Sequence, residues 1–471
     1  MKNYKLAWRN LWRNRRRTLI TAASVFFAVF FALFMRSLQL GSYDYMYKNV
    51  IESYSGYIQL QQADWWDEKT IDNSFDYTDE IETWLLDEEN VETLIPRLES
   101  FALAAGGEST KGVMVMGILP EKENLLSNIS RKLVKFHLSA GAIHSLKADD
   151  RIPEKTKDVL ALFEDSYYND GDRLLLDLGM DMDKKELFLP ILEEFASVNY
   201  ENIRPGEPGV WLGEKLASYL KLTTGDTLVL LGQGYHGSTA AGKYEIKGLI
   251  KLPVSEMSGS IVYLPIDIAQ NLYNTGRNLT SLVLQLKDNS DKAISETNAR
   301  LSSLAPAGTR IIDWNEMNEV IIQQMEADNV SGMFMIGILY IVIAFGIFGT
   351  VLMMTAERKR EFGVLVAIGM QKKKLASIMT YEMIYIGLIG LLLGCVISIP
   401  LILYGVHHPI VFKGEVAHMM EEYDFEPKLV FASVGYYFLW QIFVVGLMVS
   451  ISLVHPLRKI LRLEVVNALR A

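Results

Sequence analysis

What most constrains this chain of 471 residues is where its apolar runs fall. One covers residues 18–40, and three more crowd into 331–355, 378–404 and 429–455. At ~1.5 Å rise per residue, each is long enough to cross a hydrocarbon core ~30 Å thick as a helix. A polar segment of nearly 290 residues, 41–330, separates the first run from the second. The pattern predicts a membrane protein with four transmembrane α-helices, one plus three, and a large α+β extracytoplasmic domain between the first two.

Charge orients these pieces. Residues 1–17 carry seven Lys or Arg and no acid, and 356–377 carry six against Glu357 and Glu361. Residues 456–471 carry four against Glu464. The three pieces together have a net charge of +14 in a chain of −10, which leaves −24 for everything else. Short basic loops stay on the cytoplasmic side. Both termini and the loop 356–377 are therefore expected in the cytoplasm of a bacterium, and the spans in its inner membrane. Residues 41–314 and the loop 405–428 then face the periplasm, and an exterior this acidic excludes nucleic acid as a partner.

The first run reads as an anchor rather than a cleaved signal. Its core exceeds the usual ~7–15 residues, and no small-x-small site follows before Gly41. Arg36, near its outer end, reads as a residue whose stem snorkels to the headgroups. The one cysteine, Cys395, lies inside the third run, so the outer domain has no disulfide and depends on its core.

Within the outer domain, residues 55–62 alternate apolar and polar side chains as a strand. Residues 77–89 read as a helix capped by Thr78. Residues 91–105 and 111–119 read as strands joined at Gly106 and Gly107, and 226–231 with 244–250 as a second pair. A strand at 261–264 leads into a helix to Tyr273; another at 279–286 leads into a helix capped by Ser290. Residues 121–202 are richer in charge and helix formers and read as an insertion.

Several patterns imitate chemistry. Gly232, Gly234 and Gly237 match a dinucleotide fingerprint, and residues 237–243 begin like a phosphate loop. A phosphate loop needs Ser or Thr next and then a helix, whereas Tyr244 opens a strand here, so the segment reads as a glycine-rich hairpin. His407, His408 and His418 lack zinc-ligand spacing, and Asp170, Asp172, Asp177, Asp181 and Asp183 lack the calcium-loop glutamate. No metal, no cofactor and no catalytic residue is expected in this chain, which reads as a non-enzyme.

Two segments invite a mechanical reading. Residues 315–330 set Met317, Val320, Ile321 and Met325 at helical spacing and carry Asp328. This stalk is expected to run without a break into the second span. Residues 356–377 begin as a charged continuation of that span, show an apolar stripe and stop at Gly369, a natural helix end. Such a short amphipathic helix rests on the lipid bilayer or docks in a protein groove. Gly387, Gly390 and Gly394 offer a small-residue face for helix packing in the third span.

The inner loop also resembles the ER-x-x-E-x-G-x-x-x-A-x-G signature of FtsX/MacB-type ABC transporter permeases. Glu357, Arg358, Glu361, Gly363, Ala367 and Gly369 carry the likeness. Glu382 with Gly387, Gly390 and Gly394 is similar to that family's third span, and residues 7–18 to its amphipathic elbow helix, here 1–17. His455-Pro456-Leu457-Arg458 followed by Ala468-Leu469-Arg470 is similar to its ending, with Val465 or Val466 where proline is common. Gly117 with Pro120, the stretch from Gly213 to Ala217, and Gly225 with Asp226 resemble its outer domain. Residues 49–60 are closer to the lipoprotein-releasing branch of LolC and LolE.

The resemblance implies a permease half without its own ATPase, paired with a second permease subunit as a homo- or heterodimer. Two copies of a cytosolic ABC ATPase, which hold ATP and magnesium, bind inside. Phe362, Val364, Leu365 and Ile368 are the expected apolar anchors for them. Mechanotransmission to the outer face would then serve lipoprotein release, with a lipoprotein or periplasmic carrier outside. Peptide or antibiotic efflux and control of an envelope hydrolase are the alternatives.

Overall fold

The computed structural model describes residues 3–13, 15–422 and 427–464. Residues 465–471, with the expected Ala468-Leu469-Arg470 ending, lie outside the described residues, as do the side chains of Arg17, Asn49 and His418. The chain divides into two compact units. One comprises Met1–Tyr45, Ile321–Ile410 and Lys428–Ala471; the other comprises Met46–Val320 and Val411–Pro427.

The outer unit is built on a nine-stranded mixed sheet. Its strands are β1 Ile58–Gln62, β2 Val91–Gly106, β3 Ser109–Ile118, β4 Gly209–Gly213, β5 Thr227–Gln233, β6 Thr239–Ile250, β7 Ile261–Pro265, β8 Ser281–Leu286 and β9 Thr309–Asp313. They lie in the order β9-β1-β8-β2-β3-β7-β4-β6-β5. β2 and β3 form a hairpin from Arg97↔Ile118 to Gly106↔Ser109, with Gly107 at φ +57 supplying the left-handed turn residue. β2 is long enough to use its other edge twice. Its first half pairs with β8, and residues 103–105 pair with β5. The sheet therefore curls back on itself, which hides an edge that would otherwise be open.

Alternation along the strands divides the apolar side chains between two faces. Ile58, Leu60, Leu98, Val115, Leu212 and Leu264 belong to the main core, whereas Met116, Ile118, Trp211 and Tyr263 form a second cluster. The glycine-rich stretch is the β5–β6 connection, where Gly234 N–H donates to the Ser238 carbonyl. The helices 120–127, 140–148, 154–159, 171–177 and 185–196 fall in the insertion. The last four enclose a separate core around Leu138, Leu146, Phe163, Leu174 and Leu192, whereas the first places Glu123 against Arg97.

Among the described residues, four helices are long and apolar enough to cross a membrane. The first span helix is Arg15–Val50 and the second Glu319–Glu357; the third is Lys372–His407 and the fourth Tyr436–Leu461. Several boundaries differ from the sequence-based expectation, among them the end of the first span helix, at Val50 rather than residue 40. The long helix starts at Glu319, not Asn315, and Met317 belongs to the separate turn Trp314–Met317 in the outer unit. The Asp313 carboxylate caps that turn, and Asn318 ends it at φ −115 with its side-chain amide bonded back to the Trp314 carbonyl.

The fourth helix starts at Tyr436, not residue 429. Residues 430–434 are irregular and pack on the first span helix. Ser37 O–H donates to the Ala432 carbonyl (2.8 Å), Ala432 N–H donates to the Ser37 carbonyl (2.9 Å), and a Cβ on Gly41 would run into the Val430 carbonyl. Backbone that finds its partners in a neighbouring helix does not need to be helical itself.

A candidate coupling site at the loop helix

After Glu357 the chain bends at Arg358 (φ −91, ψ 3), and the loop helix Lys359–Ala367 follows. Gly369 at φ +103 stops it, and Gln371 in an extended conformation opens the third span helix. A left-handed residue after a helix end is where glycine carries no steric cost.

Arg358 is buried at this bend. Its Nη1 donates to Glu382 Oε2 at 2.6 Å, its Nε reaches Glu361 Oε2 at 3.4 Å, and its guanidinium lies 5.1 Å from the Phe362 ring. The other Glu382 oxygen accepts from Asn10 Nδ2 at 2.6 Å, which brings the elbow helix Asn3–Arg13 into the same network. A carboxylate in a span is costly unless paired, and here two elements pair it. Arg13 also donates to Glu361 at 2.7 Å, but both side chains are half-exposed, so that contact contributes little.

The network forms one wall of a cavity of about 710 Å³ between the elbow, loop and third span helices. Sequence reasoning noted Arg358 and Glu382 separately. An ionisable side chain inside a span calls for a partner, and that signal points to the pair. Asn10 left no signal of its own.

The loop helix corrects the expected anchors. Phe362 is 2% exposed and packs inside the membrane unit, in the cluster that contains Ile460 and Leu463; Gly363 is also buried. Leu365 is half-buried. Turning 100° per residue leaves Val364 (41% exposed) and Ile368 (79%) on the outer edge, four apart, with Ala367 and Gly369 beside them. Glu357, at the end of the second span helix, and Glu361, on the loop helix, are also exposed.

The remaining candidate residues serve the spans. A Cβ on Gly390 would stand 2.6 Å from the Ala22 carbonyl, and one on Gly394 would stand 2.7 Å from Val29 Cβ. Gly387 faces Val449 of the fourth span helix at 3.3 Å. These glycines let the third span helix approach the first and fourth within the chain. In the long second helix Val320 is exposed, Ile321 half-buried and Met325 buried, while Asp328 is exposed. Arg36 is more than a snorkelling residue. Its Nη1 donates to Asn329 Oδ1 at 2.6 Å, and Gln39 Nε2 donates to the Asp328 carbonyl at 3.3 Å, which joins the first and second span helices.

Residues 333–465 match the FtsX-like permease C-terminal family. The chain is 23% identical over 218 residues to the lipoprotein-releasing system transmembrane protein LolC of Neisseria meningitidis serogroup B, covering 44% of this chain and 51% of that one. It is 26% identical over 236 residues to an uncharacterized ABC transporter permease protein of Mycobacterium tuberculosis, covering 49% of this chain and 26% of that one. The matches thus span about half the length of the first relative and a quarter of the second. Among solved structures, the periplasmic region of MacB from Actinobacillus actinomycetemcomitans aligns with a TM-score of 0.30 and 11% identity, over 59% of this chain and 96% of that one. The extracellular domain of the noncanonic ABC-type transporter YknZ aligns with a TM-score of 0.28 and 12% identity, over 55% and 100%. Residues 333–465 are thus similar to the FtsX-like permease C-terminal family, and about half of the chain is similar in sequence to LolC and to an ABC transporter permease.

Proposed function

We propose that this chain is the non-catalytic membrane subunit of an ATP-driven complex, bound inside by two copies of a cytosolic ABC ATPase and paired with a second permease subunit. Its termini and loop helix lie in the cytoplasm, and its large domain lies in the periplasm. ATP and magnesium belong to the ATPase. Through mechanotransmission the complex acts on a substrate at the outer face of the inner membrane, and lipoprotein release is the activity favoured by the likeness to LolC.

The observation that carries this reading is the loop helix. The buried Arg358–Glu382 contact at 2.6 Å fixes it to the third span helix, and its Val364–Ile368 edge is left uncovered. A helix tethered by one face and apolar on the other can transmit the movement of whatever grips it. Truncating a buried anchor at such an interface weakens binding by ~1–3 kcal/mol, and placing a charge there adds a desolvation cost.

Ile368→Glu and Val364→Glu should therefore abolish copurification of the ATPase and coupled hydrolysis, with the outer domain still folded. Leu365→Glu, half-buried, should act more weakly at the interface and more strongly on the fold. Full copurification and coupled activity in Ile368→Glu would overturn the docking role.

A further inference from the structure

The connection between the third and fourth span helices includes Val411–Pro427, a segment that belongs to the outer unit. Phe412 N–H donates to the Pro427 carbonyl at 2.9 Å, which closes the base of the segment. Gly414, at φ +64, turns the chain into the helix Gly414–Glu422, and Ala417 on that helix is 1% exposed. Solvated loops do not bury an alanine this completely.

What faces the segment is the insertion. On its helix Gly171–Asp177, Arg173 and Asp177 are four residues apart and paired, Nε to Oδ2 at 3.1 Å. Held this way, Arg173 donates its Nη1 to the Phe412 carbonyl at 3.2 Å, 239 residues further along the chain. A Cβ on Gly414 would lie 4.0 Å from the Asp177 carbonyl, so the backbones approach closely at the same place. An ionised donor to a backbone carbonyl is among the stronger hydrogen bonds, and its partner carboxylate removes most of the freedom the arginine would lose on docking.

We propose that the insertion's helix Gly171–Asp177 is a docking surface for residues 411–422, so that the hairpin of the third and fourth spans is strapped to the outer domain. The strap holds residues 411–422, which lie between the third and fourth span helices in sequence, within the outer unit. An undocked loop of this length would behave as slack and absorb displacement; a docked one passes it on. This purpose rests on the permease reading above. The docking itself does not.

The test uses the full chain in membranes, with Cys395→Ala as the background. A cysteine from Ala417→Cys should react with an impermeant maleimide about tenfold more slowly than one from Lys413→Cys, which is exposed, since its labelling requires local opening. Arg173→Glu should bring the two rates together. Because that change could disturb the insertion itself, Gly414→Val provides a second release. It strains the left-handed turn on the strap and leaves the insertion untouched. Equal labelling in the parent, or slow labelling that persists in both release variants, would overturn the strap. Copurification of the ATPase is scored in the same preparations. Its absence from the parent counts against the permease reading and leaves the strap standing.

Discussion

Both units bury an arginine–glutamate pair, and both place it where a long helix ends, yet the two pairs are built differently. In the outer unit Arg97 and Glu123 are each 1% exposed and joined twice, Nε to Oε2 at 2.9 Å and Nη2 to Oε1 at 2.7 Å. The remaining Arg97 nitrogen donates to the Tyr54 carbonyl, at the π-helical turn Ile51–Ser55 that follows the first span helix. Neighbouring Glu99 accepts from Tyr54 O–H at 3.0 Å and Ser281 O–H at 3.3 Å. Burial, with Glu99 beside it, pushes the Tyr54 hydroxyl well above its ordinary value and keeps it a donor.

In the membrane unit Arg358 makes one short contact to Glu382 and one long one to an exposed Glu361, on the wall of a cavity. A fully satisfied network specifies one arrangement. A pair with one open side can re-partner when the helix carrying it is moved. The contrast assigns rigidity to the anchor after Val50 at the end of the first span helix and adjustability to the Glu357 end of the second.

Arg97→Met breaks the outer network most severely, because it leaves Glu123 and Glu99 buried without their cation. Such losses run to ~3–5 kcal/mol. For a domain of this size the melting temperature, followed by circular dichroism on purified protein, should drop by roughly 10 °C. An unchanged melting temperature would mean that the network does not rivet the outer unit.

The next effect comes from a buried carboxylate of the outer core with an oxygen that no hydrogen bond reaches. Glu214 is 5% exposed and its Oε2 has no hydrogen-bond partner. Burial pushes its pKa up from the ordinary 4.5 to about 7, against the opposing pull of Lys251 and a Ser258 hydrogen bond. The folded state therefore binds this proton more tightly than the unfolded chain. The stability it contributes is present below pH 4.5 and is lost as the pH rises through about 7. At about 1.4 kcal/mol per pH unit, the loss approaches ~3 kcal/mol. Outer-domain melting should fall between pH 5 and 8, and Glu214→Gln should flatten that dependence.

Arg358→Met should be milder for stability, ~1–3 kcal/mol, because Glu382 keeps Asn10 and one side of the pair opens on a cavity. Its signature is where the effect appears: reduced ATPase copurification with outer-domain melting unchanged. A drop in outer-domain melting with normal copurification would reverse the roles of the two pairs.

Much of this architecture was legible because apolar length and loop charge are local properties. The four spans, the β2–β3 hairpin around Gly107 and the Thr78 and Ser290 caps follow from residues next to one another in sequence. What was illegible depends on residues far apart. Arg358 meets Glu382 across a helix turn and a bend, and Arg97 reaches Tyr54 from a strand. Residues 429–435 are apolar enough for a span but leave the helix, because Ser37 and Gly41 of the first span helix receive their backbone. Phe362 sits on the apolar stripe that sequence identifies, but periodicity cannot say which half of a stripe is already covered.

In the proposed mechanism, movement at the loop helix reaches the outer domain through the second span helix, continuous from Glu319 to Glu357. With Cys395→Ala as background, Val320→Cys places a label in the first, exposed turn of that helix. Its maleimide labelling is compared with and without ATP in complexes purified with the ATPase, in parent, Asp328→Glu and Asp328→Pro forms. Proline inside a helix removes a hydrogen bond and clashes with the preceding turn at ~3 kcal/mol or more, whereas glutamate is well tolerated. An ATP-dependent labelling change is expected in the parent and in Asp328→Glu, and none in Asp328→Pro although the ATPase still binds. An ATP response that survives in Asp328→Pro, or is missing from the parent, would contradict it.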